Sequence, residues 1–194
     1  MRNPEKNEML FIMSILKSPE IEYNANNLAK HLNLSAMGVL KIARRLIKQN
    51  ISISRKIGKA IIYKINLKNE YAQHYVKFLL KKEAEQTSPY IKVWINEIKK
   101  IRNADLAILF GSVLKKQKEA KDIDVLFVTE NEKFTNLKKE IEEINKINPK
   151  KIHPIYQSKE DLEKNIKKSD KIILSSIKGI TIYGEDLFIQ ILEK

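Results

Sequence analysis

Two acidic side chains, Asp122 and Asp124, stand one residue apart at the head of an apolar run that continues from Val125 to Val128. An earlier apolar run, Leu106 to Phe110, ends at Gly111-Ser112, and nine residues separate the two pairs. Runs this short, rich in Ile, Val, Leu and Phe and punctuated by Gly, read as neighbouring buried strands. Side chains alternate along a strand, so Asp122 and Asp124 share one face while Ile123 and Val125 take the other. Two carboxylates on one face at the rim of a sheet suit chelation of a hard cation such as Mg²⁺. A Gly-Ser turn on the adjacent strand offers backbone N–H groups and a hydroxyl where no side chain blocks a phosphate. Together these features point to a metal-bound nucleoside triphosphate. The connecting residues include Lys115, Lys116, Lys118 and Lys121, whose charge could offset that of phosphates.

Gly111-Ser112, nine residues and Asp122-x-Asp124, with apolar strands on both sides, resembles the signature of the DNA polymerase beta-like nucleotidyltransferases, in their minimal branch. The resemblance implies in-line transfer of a nucleotidyl group from a triphosphate. It casts Asp122 and Asp124 as catalytic carboxylates bridging two Mg²⁺ ions, and Gly111 and Ser112 as the residues that hold the triphosphate. Active members usually carry a third carboxylate on the next strand. Here that strand, Lys151 to Gln157, has none, and His153 is the nearest polar substitute. An imidazole can take a proton but binds Mg²⁺ poorly. The Arg-Gly common after the Gly-Ser turn is also missing. The resulting expectation is retained nucleotide binding with slow or silent transfer.

The chain of 194 residues has room for two small domains, and its formal charge is +13. Residues 1–85 carry a net +9 and residues 86–194 a net +4, and no Asp precedes Asp105. A basic amino-terminal half suggests a polyanionic partner, most plainly duplex DNA. There is no cysteine, and His31, His74 and His153 make no metal-ligand spacing. No apolar run approaches eighteen residues and no signal-peptide pattern is present, so the expectation is a cytoplasmic protein with no membrane partner.

In the first half the spacing predicts a helix from Asn3-Pro4 to about Lys17, with Leu10, Met13 and Leu16 or Lys17 at helical spacing, stopped by Ser18-Pro19. A second helix runs from about Ala25 to His31, with Leu28 and Leu32 inward. After the tight turn Asn33-Leu34-Ser35, Ser35 caps a third helix to Gln49. Val39, Leu40, Ala43, Leu46 and Ile47 form its inner arc, and Lys41, Arg44, Arg45 and Lys48 its outer one. Two strand-like runs follow, joined by the basic, Gly-containing stretch Arg55 to Lys59. Residues 1–67 thereby resemble the winged helix-turn-helix domains. That implies a third helix set in the major groove through Lys41, Arg44 and Arg45, and a wing whose Arg55, Lys56 and Lys59 meet DNA. A helix from Asn69 to Glu85, striped with Tyr71, Tyr75, Phe78 and Leu79, either packs on its own domain or makes a homodimer contact. Glu83 to Pro89 reads as a linker.

The second half is expected to hold a helix from Tyr90 to Ile101 and the two signature strands. A charged helix from Glu130 to Ile147, the strand Lys151 to Gln157 and a helix capped at Ser158 follow. A helix from Asp170 to Lys178, a short strand Ile180 to Tyr183 and a terminal helix after Gly184 complete it. The fold class is therefore α+β, a winged helix-turn-helix over 1–85 and a small nucleotidyltransferase-like domain with a mixed sheet over 90–194. The functional reading is a DNA-binding transcriptional regulator whose second domain binds a Mg²⁺-nucleoside triphosphate. The alternative is an active transferase that places NMP on a protein, RNA or small molecule, including an antitoxin acting on a protein partner.

Overall fold

A computed structural model describes residues 6–193. The expected helix start at Asn3-Pro4 lies outside them. The chain divides into two compact units, the division falling between Leu79 and Leu80.

The first unit opens with α1 (Lys6–Leu16), α2 (Ala25–Leu32) and α3 (Ala36–Lys48), followed by a hairpin of β1 (Ser52–Ile57) and β2 (Ala60–Ile65). This order of three helices and a hairpin is that of a winged helix-turn-helix. The start of α2 and the turn between α2 and α3 are built by side chains that serve orphan backbone groups. Asn24 accepts from the amides of Asn26 and Asn27, and Asn27 returns a bond to the Asn24 amide. Asn33 closes α2 in the left-handed region at φ 54°, and Ser35 caps α3 by accepting from the Gly38 amide at 3.0 Å. A bridge from Asn24 to Ile62 adds a third edge to the hairpin.

Three helical faces differ from those the sequence suggests. In α1, Phe11, Ile12, Met13, Ile15 and Leu16 form the core, so Met13 and Leu16 face inward as expected while Leu10 is exposed. In α3 the buried arc is Val39, Ile42, Ala43 and Leu46, while Leu40 and Ile47 are half-buried. Ile42 completes the i, i+3, i+4, i+7 spacing of a single face. The helix α4 (Glu70–Glu85) buries Ala72, Tyr75, Val76, Leu79 and Leu80, and leaves Tyr71 and Phe78 exposed. An aromatic stripe at helical spacing does not by itself fix which side of the stripe meets the core.

A polar knot crosses the first unit. Glu8, buried on α1, accepts from the Arg45 guanidinium of α3 and from the Tyr75 hydroxyl of α4. A buried carboxylate is tolerated only when paired and hydrogen-bonded, and here one group satisfies both helices.

The α4 helix ends at Glu85, so the connection to α5 (Pro89–Ile98) is only Gln86 to Ser88. Ser88 caps α5 and Pro89 stands at its first turn, where no amide is needed. The second unit continues with β3 (Leu106–Phe110), α6 (Val113–Lys116), β4 (Ile123–Val128), α7 (Asn131–Ile147) and β5 (Ile152–Gln157). Then come α8 (Lys159–Lys167), α9 (Lys171–Ile177), β6 (Ile180–Tyr183) and α10 (Glu185–Glu193). Its sheet has the order β5-β4-β3-β6, with β4 and β5 parallel and the other pairs antiparallel. Trp94 and Ile98 of α5 and Leu137 and Ile141 of α7 pack on Leu109, Val125 and Phe127. The helix α9 packs against β3 and β4. Both faces of the two central strands are therefore covered, which is why they read as unbroken apolar runs.

The knot sets a testable stability. Glu8→Ala takes from Arg45 and Tyr75 the carboxylate that both engage, and it is expected to cost about 2–4 kcal/mol in chemical denaturation. Burial first, and then the hydrogen bond to Glu8, push the Tyr75 hydroxyl well above its usual range. Because the folded value is raised, this contribution is fully present below about pH 10 and is lost as pH rises beyond it. Tyr75→Phe should therefore flatten the alkaline fall in stability measured by urea titrations.

Candidate functional site

The register of the sheet brings the chemistry-bearing residues to one end. Phe110 pairs with Asp124 across β3 and β4, and Asp124 with His153 across β4 and β5. The end of β3, the start of β4 and the start of β5 therefore lie side by side. Gly111 follows directly, with φ 81°, a conformation that L side chains rarely adopt. A Cβ at Gly111 would stand 2.1 Å from Oδ2 of Asp124 and 2.9 Å from its Cγ. The Asp124 carboxylate thus lies against the Gly111 backbone. Ser112, half-buried, stands just ahead of α6 in the right-handed region and makes no side-chain bond that caps it.

Asp122, Asp124 and His153 each offer one ligand atom, and these atoms all lie within 4.8 Å of one another. His153 Nδ1 is 3.2 Å from Asp124 Oδ1. Its side chain is 69% exposed against 21% for Asp124, so the imidazole is not a core residue. The two aspartates that the alternation of a strand puts on one face are in fact neighbours. Asp122 itself lies one residue ahead of β4.

The segment that presents Asp122 is more ordered than a polar stretch of its composition suggests. Val113 and Ala120 at its ends are buried in the core of the second unit. The Lys150 ammonium donates to the carbonyls of Lys118 and Ala120, clasping the turn just ahead of Asp122. Lys115, Lys116, Lys118 and Lys121 are exposed. Lys150 is not legible as a site residue in the sequence, because a lysine after Asn-Pro carries no local signal of a carbonyl partner thirty residues away. Gly179 was also missed. A Cβ there would meet the Leu109 carbonyl at 2.3 Å, so the turn before β6 presses onto the end of β3.

The basic residues of the first unit separate into different environments. Lys41 and Arg44 are exposed on α3, whereas Arg45 turns inward to Glu8. The strand β1 runs through Arg55 and Lys56 to Ile57, so the wing turn is Gly58-Lys59, with Gly58 at φ 57°. The sequence alone puts all of Arg55 to Lys59 at the tip. Strand pairing continues to Ile57↔Ala60 and shortens it. Arg55 pairs with Glu22, both side chains more than half exposed, and Lys56 and Lys59 are exposed.

Residues 92–178 match the family model described as Polymerase beta, Nucleotidyltransferase. The second unit carries a nucleotidyltransferase domain. The match includes β3, β4 and β5 with both motifs. No curated protein matches the chain. Among solved structures, the adhesin competence repressor AdcR from Streptococcus pyogenes, C-terminally His tagged, gives a TM-score of 0.37 at 18% identity, over 50% of this chain and 68% of that one. A mutant form of Lactococcus lactis ZitR gives 0.29 at 14% identity, over 52% of this chain and 77% of that one. Superpositions this loose carry no weight for function.

Within the nucleotidyltransferase domain, Gly111 is the residue that lets Asp124 take its place. Gly111→Ala is expected to destabilise the domain by roughly 2 kcal/mol or more, from the left-handed backbone and the displaced carboxylate together. Ser112→Ala should leave thermal stability nearly unchanged. Equal melting temperatures for wild type and Gly111→Ala would contradict the packing described.

Proposed function

We propose that this protein binds duplex DNA through its winged helix-turn-helix and a divalent cation with a nucleoside triphosphate through its nucleotidyltransferase domain, acting as a transcriptional regulator. The observation that carries the nucleotide reading is the convergence of Asp122, Asp124 and the Gly111-Ser112 turn at one end of the sheet. Two carboxylates within reach of each other repel, and a shared cation removes that cost. The donor chemistry fits a divalent cation, and Asp122 and Asp124 would hold it, Mg²⁺ being the hard-ligand choice. Such a cation neutralises triphosphate oxygens that the aspartates alone would repel. Gly111 exposes backbone without a side chain, Ser112 adds a hydroxyl, and Lys115 and Lys116 add positive charge close by.

The DNA reading is supported by the basic outer face of α3 and by the wing. Lys41 and Arg44 are its groove contacts, and Lys56 and Lys59 its phosphate contacts on the hairpin. Arg55 can exchange an exposed Glu22 for a phosphate at little cost, because exposed ion pairs are weak. Arg45 serves the fold through Glu8.

Two measurements test these assignments. In calorimetry, Asp122→Asn combined with Asp124→Asn should abolish cation-dependent ATP binding while the thermal transition is retained or raised. Equal affinity in wild type and variant would refute the nucleotide site. In fluorescence anisotropy with duplex DNA, Ala at Lys41, Arg44, Lys56 and Lys59 should weaken binding and make its salt dependence shallower by about 1 in slope per lost phosphate contact. An unchanged slope at matched salt concentrations would remove the DNA reading.

A further inference from the structure

We infer that the His153 imidazole is a third ligand of the cation site and that the site therefore selects a transition-metal ion, Mn²⁺ or Zn²⁺, over Mg²⁺. The inference rests on the cation site proposed above and specifies its occupant. Three observations carry it. First, His153 is set beside Asp124 by the parallel pairing of β4 and β5, so backbone hydrogen bonds fix its place at the cluster. Second, the separation of 3.2 Å between its Nδ1 and Asp124 Oδ1 is the spacing of two donors on one ion. Ligands at right angles around a cation, with bonds of about 2.1 Å, lie about 3 Å apart. Third, the ring is largely exposed and its polar partner among the described residues is Asp124, so packing does not account for it.

The choice of metal then follows from donor chemistry. Mg²⁺ favours oxygen ligands in a near-ideal octahedron and gives up water reluctantly. Replacing an anionic oxygen by a neutral nitrogen lowers the charge of the site and adds a donor for which Mg²⁺ has little affinity. Imidazole suits Zn²⁺ and the later first-row ions, while Mn²⁺ is suited by carboxylates and, as a transition-metal ion, takes a nitrogen donor more readily than Mg²⁺. Two carboxylates and one imidazole thus fit a mixed oxygen–nitrogen ion better than a purely hard one.

The test titrates the full-length protein separately with Mn²⁺, Zn²⁺ and Mg²⁺ by calorimetry, with electron spin echo spectroscopy of the Mn²⁺ form. Wild type should bind Mn²⁺ and Zn²⁺ at least about tenfold more tightly than Mg²⁺, the scale on which losing a metal-orienting group is felt. The Mn²⁺ spectrum should show coupling to a nitrogen nucleus. His153→Ala should reduce the preference and remove the nitrogen coupling, and His153→Asp should move the preference towards Mg²⁺. The exposure of the ring lets both variants fold, which thermal melting verifies. If wild type and His153→Ala discriminate the three ions equally and no nitrogen coupling appears, His153 only hydrogen-bonds Asp124. The inference is then overturned while the aspartate site stands. If no ion binds in a manner that Asp122→Asn and Asp124→Asn remove, the site itself falls, and this inference with it.

Discussion

The Asp124 carboxylate occupies the space that a methyl group on Gly111 would need, and this close approach constrains everything around it. It requires a left-handed backbone at the end of β3, which glycine supplies without strain. It also requires that β3 and β4 pair in one register, Phe110 opposite Asp124. A slip of one residue would turn Leu126 and Val128 to the other face and carry Asp124 with them. The buried apolar residues on both faces of these strands forbid that slip. Packing energy in the sheet thereby fixes the position of a charged group at its rim.

Around this contact the domain keeps acidic groups close without burying them. Asp124 is partly covered and His153 largely open, so the cluster sits where water and ions reach it. The segment before Asp122 is pinned at both ends by Val113 and Ala120 and clasped by Lys150. Rigid strands on one side and a pinned turn on the other are what a ligand-binding constellation needs from its scaffold. The pressure of Gly179 on the Leu109 carbonyl holds the opposite edge of β3 in the same way.

In the first unit a similar economy appears around a buried acid. Glu8 ties α1, α3 and α4 together through Arg45 and Tyr75. The basic arc of α3 is consequently divided, with Arg45 held by the fold and Lys41 and Arg44 left at the surface. A charge count along a helix cannot separate these roles, since it depends on what the neighbouring helices bring.

The sequence by itself determined the α+β architecture. Period-two and period-3.6 patterns are local, and so are the caps at Ser35 and Ser158 and the turn glycines. The strands Leu106–Phe110 and Ile180–Tyr183 are read from residue types at their observed bounds. The pairing of Gly-Ser with Asp-x-Asp was legible because its spacing lies within one hairpin of structure. What only the tertiary structure decided concerns groups far apart in the chain. Which flank of a helical stripe is buried, as with Phe78 against Val76 or Leu10 against Phe11, depends on the helix that packs there. The neighbourhood of His153 and Asp124 depends on strand order, because nothing local tells β5 to lie beside β4. The inward turn of Arg45 depends on a carboxylate thirty-seven residues away. Local chemistry sets the conformation of a segment, but burial and charge pairing are properties of its partners, and those are chosen only when the chain closes on itself.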